Sequence, residues 1–294
     1  MASYRLAEDP EQLQTQIVQS IVSGVSTRDV EAIKPSSPGV KRSNVSRLWQ
    51  EAGSKIVEKL RGKELKSKTW CALMLDGIRL SSKQTAVVAL GIDSEGRKHV
   101  LDFALRSSEK LEVSRELGRR IVTRDFSYEH RLYAVLDGSD ALRAAVKEFF
   151  ADAIVERCVV HKERNIKGKL SKRHWGELPR LFRRLRSVQG IAAAEEVLGE
   201  LGSFLQPIKE EAFRSLHEAG NDLLALHRLE VPNPLHCPLH CPLLGTNAIE
   251  NSFRNTRRML GRVTPFRADT DSGKQLAILR VAGGVEELPS DRRP

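Results

Sequence analysis

The chain has 294 residues and a formal net charge of +10, from 48 Lys and Arg against 38 Asp and Glu. Apolar residues make up 40% and charged residues 29%, enough for about two ordinary domains and too apolar for a disordered chain. A membrane protein, a signal-bearing N-terminus (it reads MASYRLAEDPEQ) and, with four Cys, a disulfide scaffold are excluded, which sets the expectation of a reducing, cytoplasmic protein with no membrane partner.

Residues 12–61 read as helical. Leu13, Ile17 and Ile21, with Val18 and Val22, form an apolar stripe at helical spacing. Ser26-Thr27-Arg28-Asp29 resembles a capping box that opens a short helix, and Pro35-Ser36-Ser37-Pro38-Gly39 ends it. A longer helix follows, with Val45, Leu48, Trp49, Ala52, Ile56 and Leu60 on one face. Arg42, Asn44, Arg47 and Gln50 lie on the other side near its start. Two such helices are compatible with a helix-turn-helix that reads the DNA major groove through Arg42, Asn44 and Arg47. A plain helical scaffold gives the same pattern, and the connection is longer than the usual turn.

From Trp70 the pattern changes to strands over Trp70–Leu80, Gln84–Ile92 and Lys98–Arg106, with a hairpin signal at Asp93-Ser94-Glu95-Gly96. Connections this short predict an antiparallel meander. A helix over Glu109–Val122, a strand over Leu132–Leu136, a helix over Ala141–Phe150 and a strand over Ile154–Val160 follow, and helix resumes at His161. Helical crossovers make the later strands parallel to the first. The order β-β-β-α-β-α-β-α is that of an α/β, ribonuclease H-like mixed sheet. Residues 163–230 carry helical periodicity alone. Val231–Leu244 is Pro-rich and irregular, a last helix runs from about Ala248 to Gly261, and 267–294 has weak periodicity.

The surplus of positive charge is concentrated. His161–Arg186 carries ten Lys or Arg against two Glu, and Phe253–Arg267 carries five Arg and no acid, so the rest of the chain is slightly acidic. Such clusters suit a phosphate backbone, although solvated helix faces look alike on charge alone.

Three acids stand out by position. Asp76 interrupts the first strand in LMLDGI, and Asp137 ends the fourth in AVLDGS. The expected topology makes those strands neighbours, which brings the two carboxylates to one edge. Paired carboxylates in a half-buried place are costly without a compensating cation, and oxygen ligands suit Mg²⁺ or Mn²⁺. Glu250, early in the last helix, is a candidate third ligand. An Asp before Gly is also a plain turn former, a reading that fits Asp137 better than Asp76, and Glu250 could simply cap a helix begun by Asn247.

With these residues in view, the sequence resembles the mutator-type bacterial insertion-sequence transposases of the DDE class. The resemblance runs from about Val25 to Arg262 and rests on four elements in order: LDGIRL with Asp76, LDG with Asp137, RCVVHKERN over Arg157–Asn165, and TNAIENSFRNTRR over Thr246–Arg258. It implies a transposase that cleaves element ends and joins them to another strand by two-metal phosphoryl transfer, with two Mg²⁺ or Mn²⁺ ions on Asp76, Asp137 and Glu250. It implies double-stranded DNA as partner, both terminal inverted repeats and target, and a homo-oligomer on the bacterial nucleoid. His161, Arg164, Lys167, Arg254, Arg257 and Arg258 are then DNA-contacting candidates.

Cys158-x-x-His161 is a motif of that family. It reads either as a structural pair with Cys158 packed and His161 bonding phosphate or backbone, or, less favoured, as a zinc half-site completed by Cys237 and Cys241. Cys71, in a strand, reads as core. The expected organisation is a helix-turn-helix-like region over 1–64, the first part of the catalytic core over 65–166, a helical insertion over 167–244, a closing helix over 245–266 and a tail over 267–294. Both ends depart from the family pattern, which suggests truncation. A non-catalytic DNA-binding protein or transposase remnant is the alternative, and a ribonuclease or resolvase on the same fold leaves the insertion unexplained.

Overall fold

A computed structural model of the chain describes residues 15–17, 20, 42–79, 85–106, 110–229, 243–246 and 249. Helix α1 spans Arg42–Gly62, and strands β1 (Trp70–Arg79), β2 (Thr85–Asp93) and β3 (Lys98–Arg106) follow. Next come α2 (Lys110–Val122), β4 (Tyr133–Leu136), α3 (Asp140–Phe149), β5 (Ile154–Arg157) and α4 (Val159–Lys167). Helices α5 (Glu177–Ser187), α6 (Ile191–Leu205), α7 (Glu210–Ala219) and the short α8 (Ala225–Arg228) complete the described order.

The five strands form one mixed sheet in the order β3-β2-β1-β4-β5. The first three pair antiparallel, and β4 and β5 run parallel to β1. The hairpin between β2 and β3 is built by Asp93, whose carboxylate accepts the N–H groups of Glu95 and Arg97 at 3.1 and 2.8 Å, while Gly96 takes the left-handed φ of +76°.

Alternation along the strands divides the core in two. Leu73, Leu75, Val87, Ala89, Ala134 and Leu136 face one way and pack with Leu117, Ile121, Leu142 and Val146 from α2 and α3. Ala72, Met74, Val88, Leu90, Tyr133 and Val135 face the other way and share a core with Val159 and Ile166 of α4 and with the helices that follow it. The chain after β5 is therefore docked on one face of the sheet. That docking has polar anchors. Glu156, fully buried on β5, accepts the Leu226 N–H at 2.8 Å and the Tyr133 hydroxyl at 3.1 Å. Lys162 of α4, 1% exposed, donates to the Ser215 carbonyl at 2.7 Å and pairs with Glu218 at 3.2 Å.

Two expectations are corrected. The strand expected to continue through Val160 stops at Arg157, and helix begins at Val159 rather than His161. The Cys158 N–H makes the last rung to the Leu136 carbonyl at 2.8 Å, and the Lys162 N–H then bonds back to the Cys158 carbonyl at 3.0 Å, which opens the helix. The apolar run Cys158-Val159-Val160 looks like strand, but it is buried as the first turn of a helix against the second core. Cys71 is exposed, not core. The pairing of β1 with β2 shifts register between Trp70 and Ala72, and the bulge turns Cys71 outward.

The expected helix over 248–261, the tail over 267–294, Cys237 and Cys241 lie outside the described residues, apart from Ile249, which is helical and buried. So does the first helix of the expected helix-turn-helix, apart from helical residues 15–17 and 20.

Candidate active site

The site is assembled at the ends of two adjacent parallel strands. Leu75 on β1 is the register partner of Leu136 on β4, so Asp76 and Asp137 occupy the next position of their strands. Both follow residues of the α2–α3 core, and by alternation both turn to the opposite face, the one covered by α4. Asp76 is 1% exposed, and its Oδ1 accepts the Gly77 N–H at 2.7 Å. Asp137 accepts the Ser139 N–H at 2.8 Å, a tight turn that Gly138 permits with φ +96°. A side chain at Gly138 would be strained by that φ and would have to displace the Arg157 guanidinium. The closeness of the two acids shows at Gly77, where a Cβ would sit 3.6 Å from Asp137 Oδ2.

From α4, His161 Nε2 stands 3.8 Å from Asp76 Oδ1. The other ring nitrogen, Nδ1, lies 3.2 Å from Cys158 Sγ and 3.4 Å from the Thr246 hydroxyl. Thr246 belongs to the segment 243–246, which the Val159 N–H ties down by donating to the Leu244 carbonyl at 3.0 Å. The Thr246 hydroxyl also bonds the Asp76 carboxylate.

Burial pushes the Asp76 carboxyl up to about 6; His161, the Thr246 hydroxyl and the Gly77 N–H oppose that shift, and the charge of Asp137 adds to it. At Cys158, burial raises the thiol, but the hydrogen bond and charge of His161 outweigh it and the group ends below its ordinary value.

Asp76 differs from the other buried Asp residues of the sheet in its company. Asp93 is ringed by Lys68 at 3.2 Å, Arg97 at 3.1 Å and His99 at 2.9 Å, which hold its carboxyl far below the usual range against its burial. Asp102 is met by Arg120 at 2.9 Å, Arg61 at 3.5 Å and Arg124 at 3.6 Å. Among the described residues no Lys or Arg pairs with Asp76, and its charged neighbours are His161 and a second carboxylate. A buried carboxylate beside another, with no Lys or Arg of the described residues paired to it, is a donor set that fits a hard divalent ion. The described residues contain no group of three or more His, Cys, Asp or Glu placed to hold a metal.

Of the residues singled out by sequence, Asp76, Asp137, Cys158 and His161 are brought together. Arg164 is exposed on α4 and Lys167 lies at its C-terminal end, with its ammonium 4.7 Å from the centre of the Trp175 ring. Asn44 and Arg47 are on α1, where Arg47 bonds Asn44 at 2.8 Å and Glu51 at 2.7 Å. Glu250, Arg254, Arg257, Arg258 and the side chain of Arg42 lie outside the described residues. Thr246 had no role in the sequence reading. Its only signal is its place at the head of TNAIEN, since a lone Thr does not reveal that its hydroxyl is turned inward.

The family model for the Mutator family of transposases matches residues 3–281. The chain belongs to the Mutator family of transposases. Relatives of this Mutator-family chain include the transposase for insertion sequence element IS1201 of Lactobacillus helveticus, 25% identical over 223 residues, which are 73% of this chain and 59% of the relative. The transposase for insertion sequence element IS905 of Lactococcus lactis is 23% identical over 220 residues, 71% of this chain and 54% of the relative. The transposase for insertion sequence element IS6120 of Mycolicibacterium smegmatis is 23% identical over 266 residues, 86% of this chain and 78% of the relative. The chain thus spans little more than half the length of the first two.

Proposed function

We propose that the chain is a DNA transposase whose site cleaves the ends of an insertion element and transfers the freed strand, by metal-dependent phosphoryl transfer of the DDE type. The carrying observation is Asp76: a buried carboxylate, adjacent to Asp137 at the ends of parallel strands, with no Lys or Arg among the described residues to neutralise it. The sheet order β3-β2-β1-β4-β5 with its antiparallel first three strands supports assignment to the ribonuclease H-like fold, with 65–166 and 245–266 as the catalytic core, 167–244 as a helical insertion and 1–64 as a helix-turn-helix-like region.

In this reading Asp76, Asp137 and Glu250 hold Mg²⁺ or Mn²⁺. When bound, these ions supply charge for the scissile phosphate and activate the attacking oxygen. The chain's own residues do the rest. Gly77 and Ser139 N–H groups fix one oxygen of each Asp, and the Thr246 hydroxyl orients Asp76. Arg164 and Lys167, on the helix that carries His161, and Arg254, Arg257 and Arg258, within eight residues of Glu250 in sequence, grip phosphates on either side of the scissile bond. Double-stranded DNA, at element ends and target, is the partner, with more than one copy of the chain assembled on it.

The test is Mg²⁺-dependent cleavage and strand transfer on a labelled duplex carrying the inverted repeat that flanks the gene. Wild type is expected to cleave and join, and Asp76→Ala, Asp137→Ala and Glu250→Ala to bind the duplex without cleaving it. Binding by wild type with no Mg²⁺-dependent cleavage establishes a DNA-binding protein instead.

A further inference from the structure

Two side chains with no part in the chemistry itself converge where the site's two sequence-distant pieces meet. Thr246 and Cys158 are both fully buried. The Thr246 N–H donates to Cys158 Sγ at 3.4 Å, its hydroxyl lies 3.6 Å from the same sulfur and 3.4 Å from His161 Nδ1, and Cys158 Sγ is 3.2 Å from that ring nitrogen. Just beside them the Val159 N–H donates to Leu244, and the Ile249 N–H donates back to the Thr246 carbonyl at 2.9 Å. A buried free cysteine ordinarily behaves as a small apolar side chain. Here, among the described residues, the polar contacts of its sulfur come from His161 and from Thr246, of the segment that leads into Glu250.

We propose that Cys158 and Thr246 are positioning residues: together they form a clasp that aims His161 Nε2 at the Asp76 carboxylate and holds the segment 243–246 against the start of α4. The sulfur and the hydroxyl occupy the Nδ1 side of the imidazole, which sets the ring plane and presents Nε2 to Asp76, 3.8 Å away. Groups one layer out from a metal site orient the inner donors in this way, and their removal lowers metal affinity more than it alters the bound chemistry. The hydroxyl of Thr246 acts as donor and acceptor at once, touching Asp76, His161 and Cys158. Thr246→Ser keeps it, and Thr246→Val removes it at constant shape.

The inference rests on the metal-dependent reading of the site, so the experiment has an arm independent of catalysis. In the full chain, without metal or DNA, amide hydrogen exchange is measured at Val159 and Ile249 for wild type, Thr246→Val, Thr246→Ser and Cys158→Ala. Thr246→Val and Cys158→Ala are expected to lose about tenfold or more in protection at these two amides while the β1–β4 ladder keeps its own. Thr246→Ser is expected to stay within about twofold of wild type. In the cleavage assay, Thr246→Val is expected to raise the Mg²⁺ concentration for half-maximal rate by about tenfold or more, with a smaller change in maximal rate. The clasp is overturned if Thr246→Val matches wild type in protection, or if its Mg²⁺ requirement is unchanged while the maximal rate falls. Wild type that binds DNA and does not cleave overturns the catalytic reading, and the exchange measurement still decides the clasp. Should Cys158→Ala fail to fold, the Thr246 pair alone carries the decision.

Discussion

At Asp76 the cost of the site is written into one titration. The carboxyl sits at about 6 in the folded chain against an ordinary value of 3.8, so folding favours its protonated form. Its stabilising contribution is complete below about pH 4 and is lost as the pH rises through 6. A rise from 3.8 to about 6 corresponds to roughly 3 kcal/mol at most. Metal-free protein is therefore expected to be less stable at pH 7.5 than at pH 5 in urea unfolding, and Asp76→Asn to show a smaller difference. A wild type and variant with parallel stability curves across this range contradict the assignment. Glu156 adds to the same slope, because burial also holds its carboxyl well above the usual range, and among the described residues its Oε1 has no hydrogen-bond partner. Glu156→Gln keeps an acceptor for Leu226 and Tyr133 without a charge to bury. It is expected to raise the stability at pH 7.5 and leave that at pH 4 nearly unchanged, read from the same unfolding curves.

The elements meet through a second buried acid. Asp102 on β3 receives Arg61 from the end of α1 and Arg120 and Arg124 from α2 and the turn after it, and Arg124 also donates to the Leu60 and Leu101 carbonyls, each at 2.9 Å. Removing the anion leaves several guanidinium groups around an empty, fully buried position, so Asp102→Ala is expected to cost about 3–5 kcal/mol by urea unfolding. A loss under 1 kcal/mol would show that solvent satisfies these arginines. The strand pattern from Trp70 to Leu136 was legible because alternation, short turns and Asp-Gly breaks are local signals, and Asp76 stood out as a charge inside an apolar strand. What was not legible depends on distant contacts. Val159 and Val160 read as strand because only the packing of α4 on the sheet makes them helical, Cys71 read as core because a bulge is invisible in sequence, and the role of Thr246 needs Cys158, 88 residues earlier, to appear.

Across the whole molecule, charge and architecture converge on one region. On α4, His161 faces the site and the helix ends six residues later at Lys167, a rise of roughly 9 Å. Beyond it lie Lys169, Lys172 and Arg173, all exposed, and among the described residues none of these four cations has an ion pair with an acid. Further along this stretch three basic residues are occupied: Arg180 pairs with Glu177, Arg184 with Glu200 and Arg186 with Glu163. The local surplus is therefore available for phosphates at the α4 end and spent on helix packing further on. Each phosphate contact releases counterions, so log affinity falls with log salt with a slope of about −0.9 per contact on duplex DNA. Replacing Lys169, Lys172 and Arg173 by Ala should lower that slope by about 2–3 and weaken binding of any duplex sequence alike. Replacing Arg180, Arg184 and Arg186 removes the same formal charge and should change it by less than one. Equal slopes for the two triple variants, measured by fluorescence anisotropy from 50 to about 200 mM salt, would mean that the DNA senses the insertion as a whole and that the ion pairs do not divide it.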